Sequence, residues 1–212
     1  KIRLADHSKR LDFITKVNWQ EDFKLLRVAF PVDIVSREAV FDIQSGYLRR
    51  PATANNTIEM SAFETAGHRY ADLSENNYGA ALLNDCKYGY NVKNGTLDLA
   101  LLRAPKFPDF DADRGDHEFT YSFCPHSGNT VNSDVMLQAA MLNREPLVFD
   151  GFSSSITPLC RVESDNGSIV LEAVKTAEKE DIYIIRISEA HGQHSKGILH
   201  FNSGNYHIVE TD

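Results

Sequence analysis

Between residues 117 and 124, His117, Phe119, Tyr121 and Phe123 occupy odd positions, while Glu118, Thr120, Ser122 and Cys124 occupy even ones. A two-residue period is that of a strand with one buried face, and it recurs along the chain. Leu11, Phe13, Val17 and Trp19 alternate with Asp12, Lys16, Asn18 and Gln20; Leu26, Val28, Phe30 and Val32 repeat the pattern, with Pro31 suited to an edge or strand end. Residues 39–43 and 47–50, separated by Ser45-Gly46, read as two more strands. The pairs Asn94-Gly95 and Asn166-Gly167 fit turns whose two central residues need positive φ. They predict hairpins that pair 88–92 with 97–101 and 159–163 with 169–174. Residues 181–187, 198–201 and 206–209 supply further strands. Residues 133–143 fit helix or strand, and the alternation of Val135, Leu137, Ala139 and Met141 favours strand. Asn55-Asn56-Thr57 reads as a loop. The fold class is therefore all-β, a large antiparallel β-sandwich or a closed barrel. No linker or repeat interrupts it, so residues 1–212 read as a single domain.

At 212 residues such a domain buries a core without disulfide or metal staples. A net charge of −8 argues against nucleic acid or an anionic membrane as partner, since both need clustered Lys and Arg. Cys86, Cys124 and Cys160 are widely spaced, with no Cys-x-x-Cys pair, and read as reduced thiols of a cytoplasmic protein. No apolar run approaches the roughly 20 residues a membrane-spanning helix needs. The chain opens at Lys1 without an initiator methionine and reads as a fragment of a longer protein.

From Gly67 to Tyr90 aromatic, charged and amide residues crowd strand-like segments without separating into two faces. Within that run Asn84, Asp85, Lys87 and Tyr88 suit a sugar. The amide and carboxylate accept from vicinal hydroxyls, the ammonium donates, and the phenol offers a ring face with a polar tip. The same residues also suit a strand end whose side chains cap neighbouring backbone. His68-Arg69-Tyr70-Ala71-Asp72 offers ion-pair partners for a buried network. Arg49-Arg50-Pro51 could grip an anion or, more plainly, form salt bridges. The acidic stretch 109–118 lacks the spacing of a calcium loop. His191-Gly192-Gln193-His194, with His200 and His207 beyond, lacks the further ligands of a zinc site. Serine elbows, phosphate loops and dinucleotide fingerprints are absent.

The blocks Gly46-Tyr47-Leu48-Arg49-Arg50-Pro51, Phe63-Glu64 through Glu75, Leu82 through Gly89, Leu101-Leu102-Arg103-Ala104-Pro105 and Pro125-His126-Ser127-Gly128 fall in order over about eighty positions. Together they resemble the C-terminal β-domain of the cytosolic-type branch of glycoside hydrolase family 38 α-mannosidases. Leu171 to Lys175 and Arg186 to Gly192 are similar to later strands of that domain. Ile58-Glu59-Met60 departs from the family's usual Ser-Trp-Asp, and Tyr70 stands where relatives often carry tryptophan. The resemblance implies a galactose-mutarotase-like supersandwich that supports a catalytic domain of the same chain, N-terminal to it. That domain would hold the aspartate nucleophile and a zinc or other divalent metal, leaving no catalytic residue, metal ligand or cofactor in this segment. A mannoside or oligosaccharide is then the substrate, with Asn84, Asp85, Lys87 and Tyr88 as substrate-groove residues, and a homo-oligomer is compatible. Two other readings stand beside it. A free-standing carbohydrate-binding module needs an exposed aromatic platform, whereas Trp19, the one tryptophan, sits in a strand pattern. An aldose epimerase of the mutarotase kind needs a His and Glu pair, for which His68, His117 and His126 are available.

Overall fold

The computed structural model describes residues 1–144, 146–151, 157–179, 182–202, 204 and 206–211. These fall into two compact units, Lys1–Pro146 and Leu147–Asp212.

The first unit runs β1 (Ile2–Leu4), β2 (Leu11–Trp19), β3 (Leu25–Pro31), β4 (Glu38–Ile43), β5 (Gly46–Pro51), α1 (Thr57–Ser61), β6 (Thr65–Ala66), β7 (Tyr70–Ser74), β8 (Tyr78–Asn84), β9 (Gly89–Lys93), β10 (Thr96–Arg103), β11 (Gly115–Ser127) and α2 (Val135–Asn143). A seven-stranded sheet in the order β1-β2-β11-β8-β7-β4-β5 faces a four-stranded one in the order β3-β10-β9-β6. Their pairings are antiparallel, and the sandwich expected from the alternation is present. Its core joins Phe41, Leu73 and Leu82 from the larger sheet to Tyr90, Val92, Leu97 and Leu99 from the smaller, and Trp19 packs against it. Pro31 ends β3, an edge strand, where its missing N–H costs no ladder bond.

The other face of the large sheet is covered too. Val40, Tyr70, Ala81, Leu83 and Cys124 pack against Val135 and Ala139 of α2. With both faces buried, β7 and β8 have no solvent side on which to sort polar residues, which explains their crowded sequence. The strand expected over 133–143 is thus corrected to a helix. Its inner residues meet the sheet while Leu137 and Met141 remain exposed, so apolar residues lie on both faces and leave no helical stripe in the sequence. The loop at Asn55-Asn56-Thr57 is likewise the start of α1, where the Asn56 side chain accepts from the Glu59 N–H at 2.9 Å.

The Asn94-Gly95 hairpin forms with Leu97 opposite Val92 and Leu99 opposite Tyr90. Both turn residues have positive φ, 49° and 73°. A Cβ on Gly95 would lie 2.9 Å from the Val32 carbonyl oxygen. Gly95→Ala is expected to destabilise this unit by about 1–2 kcal/mol, and an unchanged urea midpoint would refute that.

In the second unit β12 (Cys160–Ser164) pairs with β15 (Gly197–Phe201), and β13 (Ile169–Thr176) pairs with β14 (Tyr183–Glu189). The hairpin expected at Asn166-Gly167 is therefore not made. Gly167 has φ of 73° but Asn166 is not in that region, so the turn lacks the two positive φ values the hairpin needs. Asp181 of an expected strand lies outside the described residues, and residues 206–209 form no strand. All three cysteines are free, Cys86 exposed and Cys124 and Cys160 buried. No helix among the described residues is long and apolar enough to cross a membrane.

Candidate functional site

The polar run after β8 is a turn whose side chains are largely spent on backbone. Asn84 is fully buried. Its Nδ2 donates to the His68 carbonyl at 2.8 Å and meets the Tyr90 hydroxyl, while its Oδ1 accepts from the Lys87 N–H at 2.5 Å. Its own carbonyl accepts from Asn143 Nδ2 of α2 at 2.9 Å. Asn84 therefore anchors the turn and presents nothing to solvent.

The next residues stand nearer the surface. Asp85 Oδ2 accepts from the Thr120 N–H at 2.8 Å and the Asp85 N–H donates to the Thr120 carbonyl at 3.1 Å, fastening the turn to β11. Its Oδ1 is buried without a hydrogen-bond partner, an acceptor still to be satisfied. Lys87 holds its ammonium 4.6 Å from the Phe119 ring centroid. Tyr88 is 56% exposed and meets His68 edge-on, centroids 5.7 Å apart. Burial and then Asp85 push the Cys86 thiol up to about 11, so it stays protonated and unreactive near neutrality.

Lys87 also borders an open cleft of about 830 Å³, lined by Phe23, Phe63, Glu64, Arg103 and His117 among others. Its carboxylates are engaged. Glu64 meets Arg27 at 3.3 Å, and Asp113 accepts from the Arg103 N–H at 2.9 Å. His117 Nε2 bonds the Asp113 carbonyl at 2.9 Å. The cleft offers cations, an imidazole and aromatic edges, which suits binding and positioning. The sequence pointed to Lys87 and Tyr88 but not to Phe23, which follows Gln20-Glu21-Asp22 in a stretch without periodicity.

Elsewhere the polar groups are structural. Asp42, 2% exposed, takes a two-point clamp from Arg69, with Nε to Oδ2 and Nη2 to Oδ1 both at 2.9 Å. Asp72, fully buried, accepts from His126 Nε2 at 2.6 Å and from the hydroxyls of Ser74 and Thr130. The network expected at His68-Arg69-Tyr70-Ala71-Asp72 is thus two clamps, one on each side of Tyr70. His126, at 3% exposure, is closed to any substrate an epimerase would bind. Arg50 lies over Phe41 and Arg49 over Tyr47, so both guanidiniums rest on rings of their own domain. Among the described residues no three His, Cys, Asp or Glu side chains converge to hold a metal ion.

Residues 1–111 match the model of the glycosyl hydrolases family 38 C-terminal domain. Alpha-mannosidase 2C1 of Homo sapiens is 42% identical over 194 residues, 90% of this chain and 19% of that protein. Alpha-mannosidase G of Dictyostelium discoideum is 39% identical over 190 residues, 88% of this chain and 18% of that protein. The chain thus spans about a fifth of the length of the curated relatives it matches. A solved glycosyl hydrolase family 38 protein from Enterococcus faecalis superposes with a TM-score of 0.76 at 20% identity, over 94% of this chain and 25% of that one, and shares the fold.

Proposed function

The chain belongs to glycosyl hydrolase family 38 as its C-terminal domain, and from that premise we propose that the whole protein is a retaining α-mannosidase acting on terminal α-mannosyl residues. The similarity to alpha-mannosidase 2C1 over 90% of the chain carries this reading. In it, this segment alone hydrolyses nothing. In this reading the nucleophile and a zinc or other divalent metal belong to an N-terminal catalytic domain of the same protein. The protein works in the cytoplasm, a placement that the three free thiols support.

Within that enzyme the β-sandwich supplies a preformed wall. Asp85, Lys87 and Tyr88 sit on a turn locked from four sides, by His68, Tyr90, Thr120 and Asn143, so they can meet sugar hydroxyls without ordering cost. Of these, Lys87 is the side chain that reaches the cleft.

Assay of the full-length enzyme on an aryl α-mannoside tests both levels. Turnover that is lost on metal chelation is expected, and an inert full-length protein would sink the assignment. Lys87→Ala is expected to lower kcat/KM about tenfold to a hundredfold, the scale set by misplacing a substrate group by about 1 Å. Wild-type constants in that variant would reduce the turn to a packing role.

A further inference from the structure

Along one edge of the sandwich β5 ends the large sheet and β6 ends the small one. Between β5 and β9, at α1, is a pocket of about 150 Å³, smaller and more enclosed than the cleft beside Lys87. Its walls are mainly apolar, made by Phe41, Pro51, Ile58, Ala62 and Val92. Most polar side chains that reach it are spent on the fold. Glu59 accepts from Thr53 Oγ1 at 2.8 Å, the Asn55 N–H at 2.9 Å and Asn56 Nδ2 at 2.8 Å. Lys93 donates to the carbonyls of Pro51 and Thr53 at 2.9 and 3.0 Å. Asn91 and Arg50 are the exceptions. Asn91 Oδ1 is buried without a hydrogen-bond partner among the described residues, although buried acceptors are normally paired. Arg50 rests its guanidinium 4.9 Å over the Phe41 ring and donates through Nη1 to the Ala66 carbonyl at 2.5 Å. Among the described residues no carboxylate pairs with it, so the salt bridge that Arg49-Arg50-Pro51 suggested is not made at Arg50. Burial lowers its pKa from the ordinary value, yet a guanidinium stays charged at neutral pH.

We propose that this pocket binds a small 2-hydroxy carboxylic acid with an apolar side chain. The carboxylate takes the N–H groups of Arg50 that Ala66 leaves open, the hydroxyl donates to Asn91 Oδ1, and the side chain fills the space between Phe41, Ile58 and Val92. Each part of the ligand meets the chemistry it needs. A guanidinium holds a carboxylate by charge-assisted hydrogen bonds, and an amide oxygen accepts from an O–H. A space of about 150 Å³ takes an apolar body of about a benzene ring's size. Apolar walls with a few placed polar groups are the usual form of a small-molecule site. Other ligands fit worse. A pyranose would bring hydroxyls to walls that cannot bond them. Phosphate would meet Arg50 alone, because Lys93 is turned onto backbone. The ammonium of an amino acid would sit beside Arg50 without a carboxylate to balance it, because Glu59 is held by Thr53, Asn55 and Asn56.

The test titrates the full-length protein with mandelate by calorimetry and saturation-transfer NMR, beside mandelamide, phenylacetate and mannose. Saturable binding of mandelate is expected, at least about tenfold tighter than that of mandelamide, the scale of one charge-assisted hydrogen bond, and tighter than that of phenylacetate, which lacks the hydroxyl. Arg50→Gln should abolish the preference for acid over amide. Asn91→Leu, which leaves Arg50 in place, should abolish the preference for mandelate over phenylacetate and reads the same pocket if the first variant does not fold. Absence of saturation by mandelate up to about 10 mM, an affinity too weak for a built site, would overturn the proposal. So would mandelamide binding as well as mandelate, displacement of mandelate by mannose, or mandelate binding that neither substitution disturbs, which would place it elsewhere on the protein. Mannoside turnover has no part in these outcomes, so an inert protein that binds mandelate as described leaves the pocket standing and sinks the mannosidase reading alone.

Discussion

Asp72→Ala is expected to cost the first unit about 3–5 kcal/mol, the range for removing one partner of a buried charged pair. Its carboxylate is fully buried and accepts from His126 Nε2 at 2.6 Å, Ser74 Oγ at 2.8 Å and Thr130 Oγ1. Without it His126, 3% exposed, keeps only a 3.4 Å approach of Nδ1 to the Ser127 carbonyl. The ring is also tightly packed, since a Cβ on Gly79 would sit 2.4 Å from His126 Cε1. The pair also makes stability depend on pH. Burial alone would lower the His126 pKa, but the hydrogen bond and charge of Asp72 outweigh it and the net shift is upward. A histidine raised in the folded state adds stability that is complete below its unfolded pKa of about 6.5 and is lost as pH rises through the folded value. Urea midpoints of the wild-type protein should therefore fall as pH rises above about 6.5, and those of Asp72→Ala should be lower and flatter. Parallel midpoint curves for the two proteins would show that His126 and Asp72 are not coupled.

Much of the first unit is legible in the sequence where a strand keeps one face to solvent, as β2 does at Lys16 and Asn18 and β11 at Asp116 and Glu118. β2 and β11 show period two, and the turn at Asn94-Gly95 names its own hairpin through two positive φ values. Legibility fails where both sides are covered. β7 and β8 lose their alternation between two cores, and α2, with apolar residues on both its faces, imitates a strand. It fails again at Asn166-Gly167, where the dipeptide is right but β12 and β13 take partners from later in the chain. At the site, the chemistry of residues 84–88 can be read directly, but not its allocation. Asn84 bonds backbone 16 residues before it and is bonded from 59 residues after it, and only those contacts decide that it anchors while Lys87 borders the cleft. Phe23 has no signal, since an exposed phenylalanine at positive φ looks like any other loop residue until its backbone is placed.

The allocation of Asn84 leads to the second large effect, because an isosteric change separates its hydrogen bonding from its volume. Asn84→Asp keeps the shape but replaces the Nδ2 donor by an acceptor facing the His68 carbonyl, which Asn84 now approaches at 2.8 Å. The fully buried Tyr90 can meet the new oxygen only by turning its hydroxyl away from the His68 and Leu82 carbonyls, which it now approaches at 3.3 and 3.4 Å. A carboxylate at this depth, set against the His68 carbonyl and with hydrogen bonds from Lys87 N–H and Tyr90 but, among the described residues, no cation beside it, is expected to cost about 3–5 kcal/mol near pH 7. Burial favours the neutral acid, so the new group's folded pKa lies above the roughly 3.9 of the unfolded chain. Its penalty therefore fades as pH falls, when the protonated acid can again donate to His68. Asn84→Ala lacks that rescue. It leaves the Lys87 N–H and the His68 carbonyl without their present partner at every pH, for about 2–4 kcal/mol. Urea unfolding of both variants between about pH 4 and pH 7 should show the Asp variant recovering toward wild type at the acid end while the Ala variant does not. If Asn84→Asp matched wild type at neutral pH, the side chain could not be donating inward, and the turn that carries Asp85, Lys87 and Tyr88 would have lost its anchor.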